Sequence, residues 1–238
     1  MSELPSFFEE YRDAQSTTGL IERFDALQAQ LENNGISVKP GSRFNNYRDV
    51  LEHFHEVAET DEAENVNFKL LTQANYEIEL LTVIVEQLSS EPQIDGWRSE
   101  VERLISGRDL PEKEGRDASP RDFQFELYVA ALSRKAGFAI RLAEPDVIVF
   151  HPDLEFGIAV KRPKSLGSVR PNIKKASKQI RRSDRQGAIA VDLSLAANPE
   201  NACMIADHTD VGIHAQQEYL DEYLTKKGSG IREVVGGK

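Results

Sequence analysis

The chain has 238 residues, enough for one large domain or two smaller ones, with sufficient apolar content for a core. No apolar run is long enough to span a membrane, and the N-terminus lacks a secretory signal, so we expect neither a membrane-embedded nor a secreted protein. Cys203 is the only cysteine, which excludes an intrachain disulfide and a thiolate zinc cluster and favours a reducing, cytoplasmic location.

The net charge of -11 is unevenly distributed along the sequence. Residues 1–118 carry 11 basic and 25 acidic side chains, whereas residues 119–238 carry 18 basic and 15 acidic ones. Within residues 161–185 there are ten basic side chains and one acidic one. A local basic patch attracts a polyanion even on an acidic protein, so the composition leaves nucleic acid as a candidate partner.

Residues 1–107 are predicted to be helical and to contain no strand. Three amphipathic patterns at three- and four-residue steps indicate helices over Leu20–Leu31, Tyr47–Val57 and Leu70–Leu88. The first is expected to end at Asn33-Asn34-Gly35, which favours a left-handed cap. His53 and His55 do not indicate a metal site, because residues two apart on a helix point in different directions.

The charged segment 108–118 contains Pro and Gly and is the predicted boundary between a helical N-terminal region, 1–118, and a second domain, 119–238. Ser119-Pro120-Arg121-Asp122 has the features of a helix start, and the helix is expected to end at Gly137. Glu126 lies in an apolar stripe of this helix with Phe123 and Ala130. A carboxylate in such a stripe needs a cation, either a metal or a nearby arginine.

Next come a short strand over Phe138–Leu142 and a predicted hairpin. Asp146–Phe150 and Phe156–Val160 are rich in residues that favour strands, and the intervening residues 151–155 contain Pro and Asp, which favour a turn. A hairpin returns the chain on itself. The sequence therefore predicts that Asp146, at the start of the first strand, meets Lys161, at the end of the second.

A basic helix is predicted to begin near Pro171, with Gln179 bordering its apolar face. Gly187–Leu193 is predicted to be a buried strand, parallel to its neighbour because a helix precedes it. Asp192 in this segment is interpreted as a loop cap rather than a site residue. Farther on, 215–224 is a predicted helix, and Glu233-Val-Val235 is either a final strand or the end of a truncated chain.

The order of these features resembles the PD-(D/E)xK nuclease superfamily. A helix with Glu126 precedes Pro145-Asp146, then Ala159-Val160-Lys161, and then the basic helix with Gln179. The resemblance covers the second half of the chain. It implies an α/β fold, a restriction-endonuclease-like mixed sheet flanked by helices, here preceded by an all-α N-terminal region.

The resemblance also implies a metal site and roles for its residues. Asp146 would be the central ligand of Mg²⁺ or Mn²⁺, with Glu126 and the backbone carbonyl of Val160 as further ligands. Lys161 would orient the attacking water and stabilise developing charge, and Gln179 would steady the substrate or Lys161. The basic side chains expected to contact nucleic acid are Arg162, Lys164, Lys174, Lys178, Arg181, Arg182 and Arg185.

Ala159 departs from the family pattern, which has Asp or Glu at this position. The site could work with Glu126, Asp146 and a backbone carbonyl, or another carboxylate could have taken over, with Glu144 and Glu155 as candidates. Glu155 is the poorer choice, because it would lie about 13 Å from residue 159 on an extended strand. A third account is an inactive site, and a fourth is an introduced substitution.

The leading hypothesis is a metal-dependent nuclease that hydrolyses phosphodiesters in DNA rather than RNA. The alternative is an inactive nuclease-fold module that binds nucleic acid or a protein partner. For a nuclease, the acidic helical region would serve for homodimerisation, for regulation or for docking a protein partner. No base-reading motif is visible, so no sequence preference is predicted.

Overall fold

The computed structural model describes residues 17–57, 67–90, 94–107 and 120–198, together with His214, Gln217, Glu218 and Glu222, whose backbone is helical. The chain divides into two compact units, Met1–Leu132 and Ser133–Lys238. The division lies within a helix, whereas the sequence analysis set the boundary at 118, in a segment outside the described residues. Glu233–Val235 and Cys203 also lie outside them.

The described part of the N-terminal unit is helical, as predicted. Its helices are α1 (Thr17–Asn33), α2 (Arg43–Val57), α3 (Phe68–Ser89), α4 (Trp97–Ile105) and the first part of α5 (Pro120–Lys135). Helices α1, α2 and α3 pack against one another, and the rings of Phe24 and Phe44 stack with their centroids 4.2 Å apart. Gly35 adopts a φ of 76°, which confirms the predicted left-handed cap after α1. His53 and His55 are exposed on α2.

A polar cluster lies in the interior of this unit, around Glu77 of α3. The carboxylate of Glu77 is 2.8 Å from Nε of Arg121 and 3.5 Å from Nη2 of Arg43. Gln124 and Gln73 also donate hydrogen bonds to it, and Arg121 donates to the hydroxyl of Tyr47. Burial alone would raise the pKa of Glu77, but the charges of the two arginines and the hydrogen bonds outweigh burial and hold this pKa below its usual value.

The described part of the C-terminal unit is built on a mixed sheet of four strands. Its strands are β1 (Ala139–Ala143), β2 (Asp146–His151), β3 (Leu154–Lys161) and β4 (Gln186–Val191), in the spatial order β1-β2-β3-β4. The first three strands are antiparallel neighbours, and β4 is parallel to β3. Helix α6 (Leu166–Arg182) makes the crossover, and the short α7 (Ser194–Ala197) follows β4. The predicted hairpin and the parallel last strand are therefore confirmed.

Strand β4 is at an edge of the described sheet, which corrects the prediction of a buried strand. Gln186, Gly187 and Ala188 are exposed, and Ile189 to Val191 are half-buried. Val169 and Ile173 of α6 pack against Ile189 and Val191, so the helix covers one face of the strand only.

Two neighbouring glycines, one on β3 and one on β4, allow other groups to pack closely against these strands. Gly157 pairs with Gly187 in the parallel register. A Cβ added at Gly157 would lie 2.8 Å from Cγ of Pro145, and one added at Gly187 would meet the Gly157 carbonyl oxygen and lie 2.9 Å from Cγ2 of Ile180. Pro145 precedes Asp146, so the missing side chain at Gly157 helps to set where β2 begins.

Replacing Gly157 with alanine is expected to destabilise the C-terminal unit by about 1–3 kcal/mol, because backbone or ring atoms must shift to admit the methyl group. Urea unfolding monitored by circular dichroism measures the effect. Gly167→Ala is the matched control, because an added Cβ there meets no atom within 4 Å and alanine favours a helix. Equal stability of Gly157→Ala and the unchanged protein would contradict this packing.

No described helix combines the length and apolarity required to cross a membrane.

Candidate functional site

The side chains of Asp146 and Lys161 meet where β2 begins and β3 ends. Nζ of Lys161 lies 2.9 Å from Oδ2 of Asp146, and the side chains are 12% and 13% exposed, respectively. The antiparallel register produces this contact, since it pairs Val147 with Ile158 and so brings Asp146 alongside the end of β3. The structure confirms the sequence-based expectation that these two residues converge.

Val160 contributes two backbone groups to the same place. Its N–H donates to Oδ2 of Asp146 at 2.7 Å, and its carbonyl oxygen accepts a hydrogen bond from Nζ of Lys161 at 2.7 Å. One carboxylate, one carbonyl and one ammonium group thus form a small, half-buried polar centre. Charge-assisted hydrogen bonds of this kind hold both side chains in one orientation.

Ala159 lies on the same face of β3 as Gly157 and Lys161, because alternate residues of a strand share a face. It is fully buried and pairs with Ile189 of β4. Its methyl group provides no ligand, so Asp146 supplies the only carboxylate of the Asp146, Val160 and Lys161 centre.

The two carboxylates considered as replacements have different surroundings. Glu155 is opposite Phe150 near the hairpin turn and forms an ion pair with Arg185 at 3.0 Å. It is six residues before Lys161, which corresponds to roughly 20 Å along an extended strand. Glu144 is exposed, two residues before Asp146. Glu155 is therefore unsuited to the centre, and a role for Glu144 stays a prediction.

The other predicted site residues are on helices. Glu126 is half-buried on α5, within the N-terminal unit, and its place beside Asp146 stays a prediction. Gln179 is half-buried on α6, and its side-chain amide oxygen, Oε1, is buried without a hydrogen-bond partner within the described part of the chain. Such an acceptor is available for a donor on a ligand or on a bound water.

The predicted nucleic-acid contacts fall into two groups. Lys174, Lys178, Arg181 and Arg182 are exposed on α6. Arg185 is paired with Glu155 and also donates to the carbonyl oxygen of Ser183. Lys164 is half-buried and has a polar or electrostatic contact of its own.

Arg162 forms a structural ion pair with Asp192. Nε of Arg162 is 3.0 Å from Oδ2 of Asp192, and the two side chains are 8% and 15% exposed. Asp192 also accepts a hydrogen bond from the backbone N–H of Ser194, at the start of α7, as expected of a loop cap. Its own N–H donates to the carbonyl oxygen of Lys161. Arg162 and Asp192 thus join the ends of β3 and β4.

Among the residues that the structure describes, no group of three or more His, Cys, Asp and Glu side chains could hold a metal ion. Comparisons of the chain with protein-family models, with curated proteins and with solved structures found no match.

Proposed function

We propose that the chain is a metal-dependent nuclease of the PD-(D/E)xK type that hydrolyses phosphodiester bonds in DNA. The observation that carries the proposal is the contact between Asp146 and Lys161 at the end of the β2–β3 hairpin, with the Val160 carbonyl beside them. The order of elements, a helix, three antiparallel strands, a crossover helix and a parallel strand, supports a restriction-endonuclease-like fold.

The donor atoms fit a hard divalent cation. Mg²⁺ prefers oxygen ligands and commonly binds one or two carboxylates, with water and substrate phosphate completing its coordination. Asp146 supplies a carboxylate and Val160 a carbonyl oxygen. With so few protein ligands, we expect weak binding in the absence of substrate. A bound cation would neutralise phosphate charge and make a coordinated water more acidic.

The residues of the chain have distinct roles in this proposal. Asp146 is held by the Val160 N–H in an orientation that the sheet register fixes. Lys161 carries a positive charge next to it and can donate a hydrogen bond to a phosphate oxygen or to the attacking water. During hydrolysis the water oxygen bonds to phosphorus as the bond to the leaving sugar oxygen breaks, and a water proton ends on that leaving oxygen. The preorganised Lys161 ammonium would stabilise the charge that develops on phosphate.

A second candidate function is a binding module without catalysis. Ala159 favours it, because this fully buried residue leaves the centre in the C-terminal unit with a single carboxylate. Such a module would use the exposed cations of α6 to hold nucleic acid and would not cut it.

Purified protein incubated with supercoiled plasmid distinguishes the two functions. We expect nicking with Mg²⁺ or Mn²⁺ that EDTA abolishes, and a loss of about 100-fold or more in rate for Asp146→Ala and for Lys161→Ala. Equal nicking by the unchanged protein and both variants would refute the assigned site. DNA binding without nicking at any metal concentration would establish the binding module instead.

A further inference from the structure

We infer that the open face of α6 is a docking track for the phosphate backbone of duplex nucleic acid, and that Arg170 and Lys175 belong to it. The inference rests on the proposed function for its choice of nucleic acid as the polyanion. It concerns α6 alone and does not require that the Asp146–Lys161 centre be catalytic.

The track consists of six exposed cations on one side of the helix. None of them forms an ion pair with a carboxylate of the described residues, and α6 contains no acidic residue. At 3.6 residues per turn they cover an arc of about 140°, and the apolar residues that pack on the sheet occupy the opposite side. The six cations are Arg170, Lys174, Lys175, Lys178, Arg181 and Arg182.

The arrangement favours an extended ligand over a small anion. The track runs about 18 Å along the helix, at 1.5 Å per residue. Arg170, Lys174, Lys175 and Lys178 also border an open surface depression together with Pro171. A single phosphate could satisfy only a few of these charges, whereas a duplex presents a charge about every 1.7 Å along its axis. The six charges therefore match a polyphosphate backbone better than an isolated phosphate group.

The composition of the helix indicates contact with phosphates rather than with bases. It contains no aromatic residue on which unpaired bases could stack, which favours a duplex over a single strand. Its two amide side chains are also unsuited to reading adenine: the side chain of Asn172 donates to the backbone carbonyl oxygen of Ser168, and the side-chain Oε1 of Gln179 is buried. We therefore expect duplexes of unrelated sequence to bind equally well.

Some basic residues that the sequence alone assigns to nucleic acid form ion pairs within the C-terminal unit, so they do not belong to the track. Arg162 is paired with Asp192, and Arg185 with Glu155. Arg170 and Lys175 have no such partner within the described chain, although the sequence-based set of contacts omits them. Relative to the sequence-based set, the track thus omits the two paired arginines and the half-buried Lys164 and adds two exposed cations.

Duplex binding measured without metal tests the track alone, because the proposed hydrolysis requires a metal ion. Fluorescence anisotropy of a labelled duplex in EDTA, from about 50 to 200 mM salt, gives the salt dependence of the affinity. Six phosphate contacts predict that the logarithm of the binding constant falls with the logarithm of the salt concentration with a slope of about -5. For Arg170→Gln/Lys175→Gln we expect a slope smaller in magnitude by about 2 and an affinity roughly 50-fold weaker at 0.1 M salt.

Lys135→Gln/Arg141→Gln is the matched control, because it also removes one exposed lysine and one exposed arginine, at positions outside α6. We expect its affinity to stay within about twofold, while circular dichroism verifies that all variants fold. The inference is overturned if the duplex does not bind, if the control loses as much affinity as the Arg170/Lys175 pair, or if single-stranded DNA binds more tightly. Binding without nicking would refute the nuclease proposal and leave the track intact.

Discussion

Replacing Glu77 with glutamine is expected to lower the free energy of unfolding of the N-terminal unit by about 3–5 kcal/mol. The carboxylate is almost completely buried between Arg43 and Arg121, and it accepts hydrogen bonds from Gln73 and Gln124. Glutamine has a similar shape and no charge, so two buried guanidinium groups would lose their counterion. Two nitrogens of Arg43 already have no hydrogen-bond partner among the described residues. No other described acceptor is therefore bonded to them that could replace the lost carboxylate.

Urea unfolding measures this effect, with Glu79→Gln on the same helix as the control. Glu79 forms an ion pair with Arg23 but is largely exposed, so its loss should cost less than about 1 kcal/mol. The difference between Glu77→Gln and the unchanged protein should also depend on pH. Because the folded-state pKa of Glu77 is lowered, its contribution should be complete above the unfolded pKa of about 4.3 and disappear as the pH falls through the folded value. A cost of less than 1 kcal/mol at pH 7 would contradict the assigned role.

Replacing Ala159 with aspartate is expected to destabilise the metal-free protein by about 3 kcal/mol and to make its stability depend on Mn²⁺. The new carboxylate would occupy a fully buried position on the face of β3 that carries Lys161, close to the start of β2. Taking a charge out of water costs several kcal/mol unless a counterion is present. Because Asp146 and the Val160 carbonyl supply the first ligands, Mn²⁺ should provide that counterion.

Thermal unfolding in EDTA and in excess Mn²⁺ measures both effects. At a metal concentration 100 times the dissociation constant, binding should restore about 2.7 kcal/mol. Ala159→Asn is the control, since it adds a polar side chain of the same shape and should gain much less from the metal. Equal responses of Asp and Asn variants to Mn²⁺ would contradict a metal site beside residue 159.

The convergence of Asp146 with Lys161 could be predicted because it depends on local rules. Two β-rich segments with a Pro- and Asp-containing turn between them form a hairpin, and a hairpin brings the first residue of one strand to the last residue of the other. The parallel placement of β4 followed similarly from the helix before it.

The Glu77 cluster could not be predicted, because hydrophobic periodicity assigns no partner to a charged side chain. In α5 the apolar pattern placed Phe123 on the buried face, but Phe123 is half-buried, whereas Arg121 and Gln124 are buried together with Leu127, Ala130 and Ala131. Their burial depends on a carboxylate more than 40 positions away in the sequence. The signal available in the sequence was the acidic Glu77 within the apolar stripe of α3, which requires a buried cation.

The sequence pattern also could not predict which strand lies at the edge of the sheet or which charged side chains pair across strands. The apolar residues of β4 suggested burial on both faces, but burial depends on whether another strand or helix lies alongside. In the sequence Arg162 belongs to the basic run of residues 161–185, and only the β3–β4 register brings it to Asp192.

The most direct test of the central claim is the anomalous scattering of Mn²⁺ in a crystal of the unchanged protein. The proposed centre predicts a manganese peak in contact with the Asp146 carboxylate and the Val160 carbonyl oxygen, with Nζ of Lys161 moved off both. An intact bond between Asp146 and Lys161 at saturating Mn²⁺, with no peak beside it, would contradict the claim.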